Sequence, residues 1–409
     1  MREFDTLDDL GFARRTVLFR PDINLPLERN TLAIEDDTRI VKVIPTLDEL
    51  CRKKARVVIL AHQGRPGSWD FIPLDGHARL LSHHLGREVR YVDDILGEEA
   101  EAAIASLEPG QVILLKNVRE LPYEMENRSM EEHARSELVE GLSGLVDIFV
   151  NDAFAAAHRS HCSLVGFQAV LPSAAGRLMQ GEIEAIDTVL KSPKHPSVFV
   201  LGGAKFSDAI KMIDRVVGEG IADWVLLTGL CANFFLKARG VNLGEVNEKA
   251  LESEMTPENL MEAKELLARR GNHIILPHDV ALDVGGGRRE VFVGDLPSEY
   301  EILDIGDQTI AKFCKVIRNA RTIFMSGPAG MIERDPFAQG TQELMGAVAH
   351  SKAFSLLGGG HTVAAANRLG LAQAFSYVST GGGALESYLI GEPLPVIEAL
   401  KEAKRRRLR

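Results

Sequence analysis

VFVLGGAKFSDAIKMID (198–214) runs from an apolar stretch through Gly202-Gly203-Ala204 into a helical segment with Lys205 near its start, a strand–turn–helix unit. The unit recurs through the second half of the chain in WVLLTGLCAN (224–233), TIFMSGPAGM (322–331), AFSLLGGGHTVA (353–364) and FSYVSTGGGAL (375–385). In the first half the runs TVLFRPDIN (16–24), RVVILAHQGRP (56–66), VRYVDDIL (89–96), VILLKNVRE (112–120) and VDIFVNDAFAAAHR (146–159) break instead into Arg, His, Asp or Asn. RVVILAH (56–62) and QVILLKN (111–117) are apolar nearly throughout, as strands buried on both faces must be. Segments 36–54 and 130–144 carry apolar residues at three- and four-residue spacing and read as helices between strands. Alternating strands and helices predict an α/β chain of two doubly wound, Rossmann-like parallel-sheet domains. Ligands of such sheets sit beyond the carboxyl ends of the strands. The glycine-rich half therefore suits a polyphosphate, and the half ending in charged residues suits a small anion.

The 409-residue length fits two cores. Leu171–Pro196 reads as a turn begun by Pro172, a long helix and a proline-flanked exit, either a mechanical link between lobes or an ordinary crossover. We expect a first domain over 1–172, a linking helix over 173–195, a second domain over 196–388, and a closing segment, 389–409, that returns to the first lobe. A net charge of −11 argues against nucleic acid or an anionic membrane as partner. The four cysteines, Cys51, Cys162, Cys231 and Cys314, have no CxxC spacing and read as buried thiols of a reducing, cytoplasmic protein. No apolar run approaches a membrane span, and the acidic opening MREFDTLDDLGF is unlike a signal peptide. The closing KEAKRRRLR reads as a solvated helix end.

Neither GxxxxGK[ST] nor GxGxxG occurs, which weighs against P-loop and dinucleotide-binding readings. A lysine at a helix start opposes the helix dipole, so Lys205 needs either an anion beside it or free solvation. Gly358-Gly359-Gly360-His361-Thr362 and Ser379-Thr380-Gly381-Gly382-Gly383 lie at similar turns. Their glycines suit main chain touching a ligand or simple tight packing. In the first half the strand ends supply Asp22, Asn24, His62, Arg65, Arg119, His158 and Arg159, and Arg39 opens the first helix. Each arginine alone could be a surface ion-pair residue; together at strand ends they suit bidentate capture of phosphate and carboxylate.

RPDINLP, DDTRI, HQGRP, NVR, VNDAFAAAHRSH, GGAKFSD, DIGDQT, SGPAG, GGGHT and STGGGALE follow one another in an order that resembles the phosphoglycerate kinase family over nearly the whole chain. His361, where many members carry Asp, resembles the archaeal branch. Ser326, Lys116 and Ala209 also depart from the commonest pattern; Lys211 would sit about 200° round the helix from Ala209. The resemblance implies reversible phosphoryl transfer from 1,3-bisphosphoglycerate to Mg-ADP, giving 3-phosphoglycerate and Mg-ATP. It implies triose binding in the first lobe by Asp22, Asn24, Arg39, His62, Gln63, Gly64, Arg65, Arg119 and Arg159. Nucleotide binding falls to Gly203, Lys205, Glu333, Gly359, Gly360, His361 and Thr362 in the second, with Glu333 at the ribose. It further implies that Arg39 and Lys205 flank the moving group, that Mg²⁺ travels with the nucleotide rather than in a protein cage, and that a hinge closes before in-line transfer. A monomer is expected, with a homodimer as the alternative. A non-catalytic nucleotide binder and a two-domain dehydrogenase are the competing readings.

Overall fold

The computed structural model describes residues 3–409. Up to Ile183 they form one compact unit together with Glu392–Arg409; Glu184–Gly391 form a second.

The first unit is built on six parallel strands, β1 (Thr16–Pro21), β2 (Arg56–Ile59), β3 (Val89–Val92), β4 (Val112–Leu115), β5 (Ile148–Asp152) and β6 (Ser173–Ala175). They lie in the order β3-β4-β2-β1-β5-β6. Successive side chains of a strand point to opposite faces, and β1 shows the result. Val17 and Phe19 join Ile40, Val43 and Leu47 of helix Thr38–Arg52, whereas Leu18 joins Ile113, Phe149 and the helices Glu98–Ala105 and Glu137–Ser143 on the other side. The sheet is therefore buried on both faces, which is why its strands read as continuous apolar runs. The chain leaves β1 toward β2 on one side and later fills β5 on the other, so the switch point falls at β1. VRYV forms β3 at the outer edge. Asp94 after it caps a helix rather than facing the switch point, accepting from Ile95, Gly97 and Ala100 nitrogens at 2.8, 3.1 and 3.0 Å.

The expected turn begun by Pro172 needs correction. Ser173–Ala175 pair in parallel with Phe149–Asn151 as β6. Ser-Ala-Ala has almost no β-propensity; burial and main-chain pairing beside β5 make it a strand.

In the second unit, β7 (Ser197–Leu201), β8 (Trp224–Leu227), β9 (Ile274–Ile275), β13 (Thr322–Ser326), β14 (Phe354–Gly358) and β15 (Tyr377–Val378) form a parallel sheet ordered β15-β14-β13-β7-β8-β9. The two-residue β9 and a separate antiparallel sheet were not expected. The latter comprises β10 (Asp279–Val284), β11 (Gly287–Phe292) and β12 (Ile302–Ile305), in the order β11-β10-β12. Gly285-Gly286, both at positive φ, turn β10 into β11, a hairpin signal present in VALDVGGGRREVF.

Helix Arg177–Leu190 spans the division of the chain. Its start is bonded within the first unit. Asp152 Oδ1 accepts from Met179 N at 2.8 Å, Thr46 Oγ1 accepts from Arg177 N at 2.8 Å, and the Arg177 guanidinium forks onto Glu49 and Asp8. Near its end Asp187 accepts from the Tyr388 hydroxyl at 2.8 Å, within the second unit. The final helix, Pro395–Leu408, returns to the first unit, where Val396 N donates to Ala157 O and Arg407 pairs with Asp5. The four cysteines are free and buried. Among the described residues no helix is long and apolar enough to cross a membrane.

Candidate functional site

In the first unit the sequence-predicted residues come from the ends of β4, β2, β1 and β5, four neighbours around the switch point, and, for Arg39, from the start of helix Thr38–Arg52. The loops after β1 and β2 are stitched together: Asn24 N donates to Asp22 Oδ1 at 3.1 Å, and Asn24 Oδ1 accepts from Gly64 N at 2.9 Å. Gln63 exchanges two hydrogen bonds with Leu25, at 2.7 and 3.0 Å, so its amide belongs to the wall of the crevice. Gly64 lies at φ +63°, and a Cβ there would meet Asp70 O at 2.4 Å, so the turn requires glycine. Its carbonyl accepts from Arg119. Asp22 Oδ2 takes a 2.6 Å hydrogen bond from Arg39 Nη1.

These arginines crowd one another. Burial lowers the pKa of Arg119 to about 10, with Arg20, Arg159 and Arg65 adding repulsion and Glu124 opposing it. Arg159 is lowered by burial, opposed by Asp22 and pushed further by Arg65 and Arg39. Burial first, then Arg20, Arg119, Arg159 and His161, hold His62 well below its ordinary value. Arg119 Nε is buried without a partner among the described residues, an orphaned cationic donor that asks for an explanation. Like charges gathered at a desolvated strand-end crevice are tolerable when an anion completes them. Arg20, Glu124, Ser163 and His161 belong to this cluster and were not singled out from sequence. Arg20 had a signal, as the one charge inside the apolar strand TVLFRP; buried Glu124 in a loop had none.

The second unit presents a cavity of about 340 Å³ with the strand-end turns on one side and Val280, Ile302 and Ile305 of the antiparallel sheet on the other. Gly203, Glu333 and His361 line it. The glycines divide by role. A Cβ at Gly202 would meet Pro328 O at 2.3 Å, and one at Gly327 would meet Gly203 N at 2.2 Å, so these positions serve close main-chain packing between strand ends. Gly202 N is also occupied, donating to Ser326 O at 2.8 Å. A Cβ at Gly203 or Gly360 would have no atom within 4 Å, leaving room for a ligand to approach their main chain. Gly359, at φ +82°, precedes helix Gly360–Arg368, whose free N–H groups suit phosphate. Thr362 does not line the cavity. It is buried with Oγ1 accepting from Gly327 N at 2.6 Å, and it ties the β13 turn to this helix.

Lys205 does not line the cavity either. The choice between an external anion and free solvation is answered differently: Lys205 Nζ pairs with Glu386 Oε2 at 2.5 Å, in the STGGGALE segment. That pairing raises its pKa. No three His, Cys, Asp or Glu side chains converge as a metal site among the described residues.

The phosphoglycerate kinase family model matches residues 7–392. Phosphoglycerate kinase of Methanopyrus kandleri is 47% identical over 395 residues, covering 97% of each chain, and that of Methanobacterium bryantii is 44% identical over 401 residues, covering 98% of each. The crystal structure of phosphoglycerate kinase from Pyrococcus horikoshii superposes with a TM-score of 0.89 at 39% identity, over 98% of this chain and all of that one. By sequence and by fold, along nearly its whole length, this chain belongs to the phosphoglycerate kinase family.

Proposed function

We infer that the chain catalyses reversible phosphoryl transfer between 1,3-bisphosphoglycerate and Mg-ADP, yielding 3-phosphoglycerate and Mg-ATP. The crowding of Arg20, Arg119, Arg159 and Arg65 against a single crevice carries the reading, since such repulsion favours a ligand bearing both phosphate and carboxylate. We assign the triose to Asp22, Asn24, Arg39, His62, Arg65, Arg119 and Arg159. Asp22 serves by orienting Arg39. The nucleotide goes to the second unit, its base against the apolar wall, its ribose at Glu333, and its phosphates toward Gly203, Gly359, Gly360 and His361.

In the ATP-consuming direction a carboxylate oxygen of 3-phosphoglycerate attacks the γ-phosphorus as the bond to the β-phosphate oxygen breaks. The nucleophile is already an anion, so no side chain need remove a proton; the protein supplies alignment and charge neutralisation. Lys205 exchanges Glu386 for the moving group, and Arg39 meets it from the triose side. The donor set around the cavity suits magnesium carried on the nucleotide phosphates with water completing its shell, where it offsets part of their charge. Direct transfer requires the two bound ligands to meet in line, for which helix Arg177–Leu190 and the return at Gly391–Glu392 are the candidate hinge. Four buried free thiols fit a reducing cytoplasm.

A coupled assay tests this. 3-Phosphoglycerate and Mg-ATP are supplied, and an NADH-dependent enzyme reduces the acyl phosphate. NADH oxidation that requires both substrates is expected; ATP binding without turnover would leave a non-catalytic nucleotide binder.

A further inference from the structure

Beneath the triose crevice runs a buried chain of hydrogen bonds that no step of the reaction uses. Arg20 Nε donates to Ser163 Oγ at 2.9 Å, Ser163 Oγ donates to Glu124 Oε1 at 2.6 Å, and Ser163 N donates to Glu124 Oε2 at 2.8 Å. Arg20 Nη1 donates to Pro21 O, and Arg20 Nη2 lies 2.9 Å from His62 Nδ1. Glu124 and Ser163 are fully buried, Arg20 and His62 nearly so.

The direction of these bonds follows from which atoms can donate. A guanidinium has no acceptor, so His62 Nδ1 must offer its lone pair to Arg20. A neutral imidazole with a bare Nδ1 carries its proton on Nε2, for which the structure gives no partner among the described residues. The hydroxyl of Ser163 must likewise accept from Arg20 Nε, which turns its own proton toward Glu124. Both carboxylate oxygens then accept; burial raises the Glu124 pKa, but Arg20, the two Ser163 donors and Arg119 oppose it, and the ionised carboxylate is the form that balances Arg20 in its nearly fully buried site.

We propose that Glu124, acting through Ser163 and Arg20, is a positioning residue that holds His62 as the neutral Nε2–H tautomer, so that His62 meets the triose as an uncharged hydrogen-bond donor. This rests on the assignment of the triose to the first unit. An imidazolium would set an Nδ1–H against the Arg20 donor, and Arg119, Arg159 and His161, the other groups around the ring, add only repulsion. His62 therefore contributes a donor to the ligand's oxygens without a further cation and without titrating in the neutral range.

Two-bond ¹H–¹⁵N correlation spectra of the full-length protein labelled at histidine nitrogen test this, with His62→Gln used to assign the signal. His62 should show the Nε2–H pattern without change between about pH 5 and 8, the window in which an unperturbed histidine titrates. In Glu124→Gln one amide face presents a donor to a Ser163 donor, so the tautomer should become mixed. The KM for 3-phosphoglycerate should rise about tenfold with kcat within about twofold, the scale of one charge-assisted hydrogen bond. The KM for ATP should stay constant. An Nδ1–H pattern or a titration near neutrality in the unaltered protein overturns the proposal, as does Glu124→Gln with tautomer and KM unchanged. Should that variant not fold, the unaltered protein's spectrum still decides. The spectrum needs no substrate, so a chain inactive on 3-phosphoglycerate would refute the assigned reaction and leave the tautomer result standing.

Discussion

The two strand-end regions present opposite kinds of groups to the ligands proposed for them. In the first unit they are side chains: Arg39, Arg65, Arg119 and Arg159 crowd one crevice, restrained by Asp22 and Glu124. In the second, main chain is on offer, at the open Gly203 and the helix start after Gly359, while the nearby cation Lys205 is paired with Glu386. Side-chain charge can be aimed at two different anionic groups of a small ligand but must be held apart at some cost in stability. Main-chain donors carry no net charge, so they suit a polyphosphate whose own cation arrives with it. On the proposed assignment, fixed positive charge lies where the ligand would come bare and is spared where it would bring a metal.

Lys205 is the sharpest place to break this contrast, because it is the one cation at the β7 turn. Lys205→Ala should lower kcat by about 10²–10³-fold, the cost of removing one donor to transition-state charge. The KM for 3-phosphoglycerate should barely move. Steady-state kinetics in both substrates check it, and near-normal turnover would remove Lys205 from the mechanism and leave the Glu386 pair as a structural bond.

The next largest effects should fall on the triose side. Arg159→Ala and Arg65→Ala each remove charge-assisted hydrogen bonds of about 1.5–3 kcal/mol, so 3-phosphoglycerate binding should weaken by at least about tenfold while ATP affinity holds. Isothermal titration with each ligand separates the two. Loss of ATP affinity with triose affinity intact would reverse the assignment of ligands to units.

The parallel sheets and the positions of most candidate residues could be read from the chain because each strand ends in a turn whose residues differ in kind from the apolar run before it. What escaped the reading was what long-range packing decides. β6 is Ser-Ala-Ala and is a strand only because β5 lies beside it. Gly202 and Gly327 look like ligand-binding glycines, yet they serve the approach of one main chain to another. Thr362 follows the cavity residue His361 but faces Gly327 N. Glu124 and Ser163 lie 39 residues apart, and only the fold turns an acidic loop residue into the counter-charge of a strand arginine.

The first unit's reliance on charge should also show in its pH dependence, through Asp152 at the foot of helix Arg177–Leu190. Burial raises this carboxyl to about 7, although Thr46 Oγ1 and main-chain nitrogens donate to it. The folded value lies above the ordinary 3.8, so the folded state holds the extra proton between the two. Stability from this group therefore falls as pH rises through that window and levels off above it. The unfolding temperature of the unaltered protein relative to Asp152→Asn should drop by about 2–4 °C or more from pH 5 to pH 8. A constant difference in scanning calorimetry would mean that Asp152 stays ionised throughout.

The smallest effect tests the second unit's freedom from fixed charge. His361 lines the cavity at the start of helix Gly360–Arg368, where a carboxylate could order the waters of a magnesium ion. A neutral imidazole is a poor magnesium ligand and an imidazolium would repel the ion. The phosphates and water should therefore hold most of its shell here. His361→Asp should keep turnover within about threefold and shift the magnesium concentration giving half-maximal rate, the sign depending on two opposed terms. A carboxylate favours the cation and the helix start, but it also repels the nucleotide phosphates. If the first dominates, the requirement falls and ATP affinity is kept; if the second does, ATP affinity falls and the requirement rises with it. Magnesium titrations at fixed ATP across neutral pH distinguish the two. A magnesium dependence unaltered by the added carboxylate would place residue 361 outside the ion's water shell and leave the main chain as the whole of this unit's phosphate site.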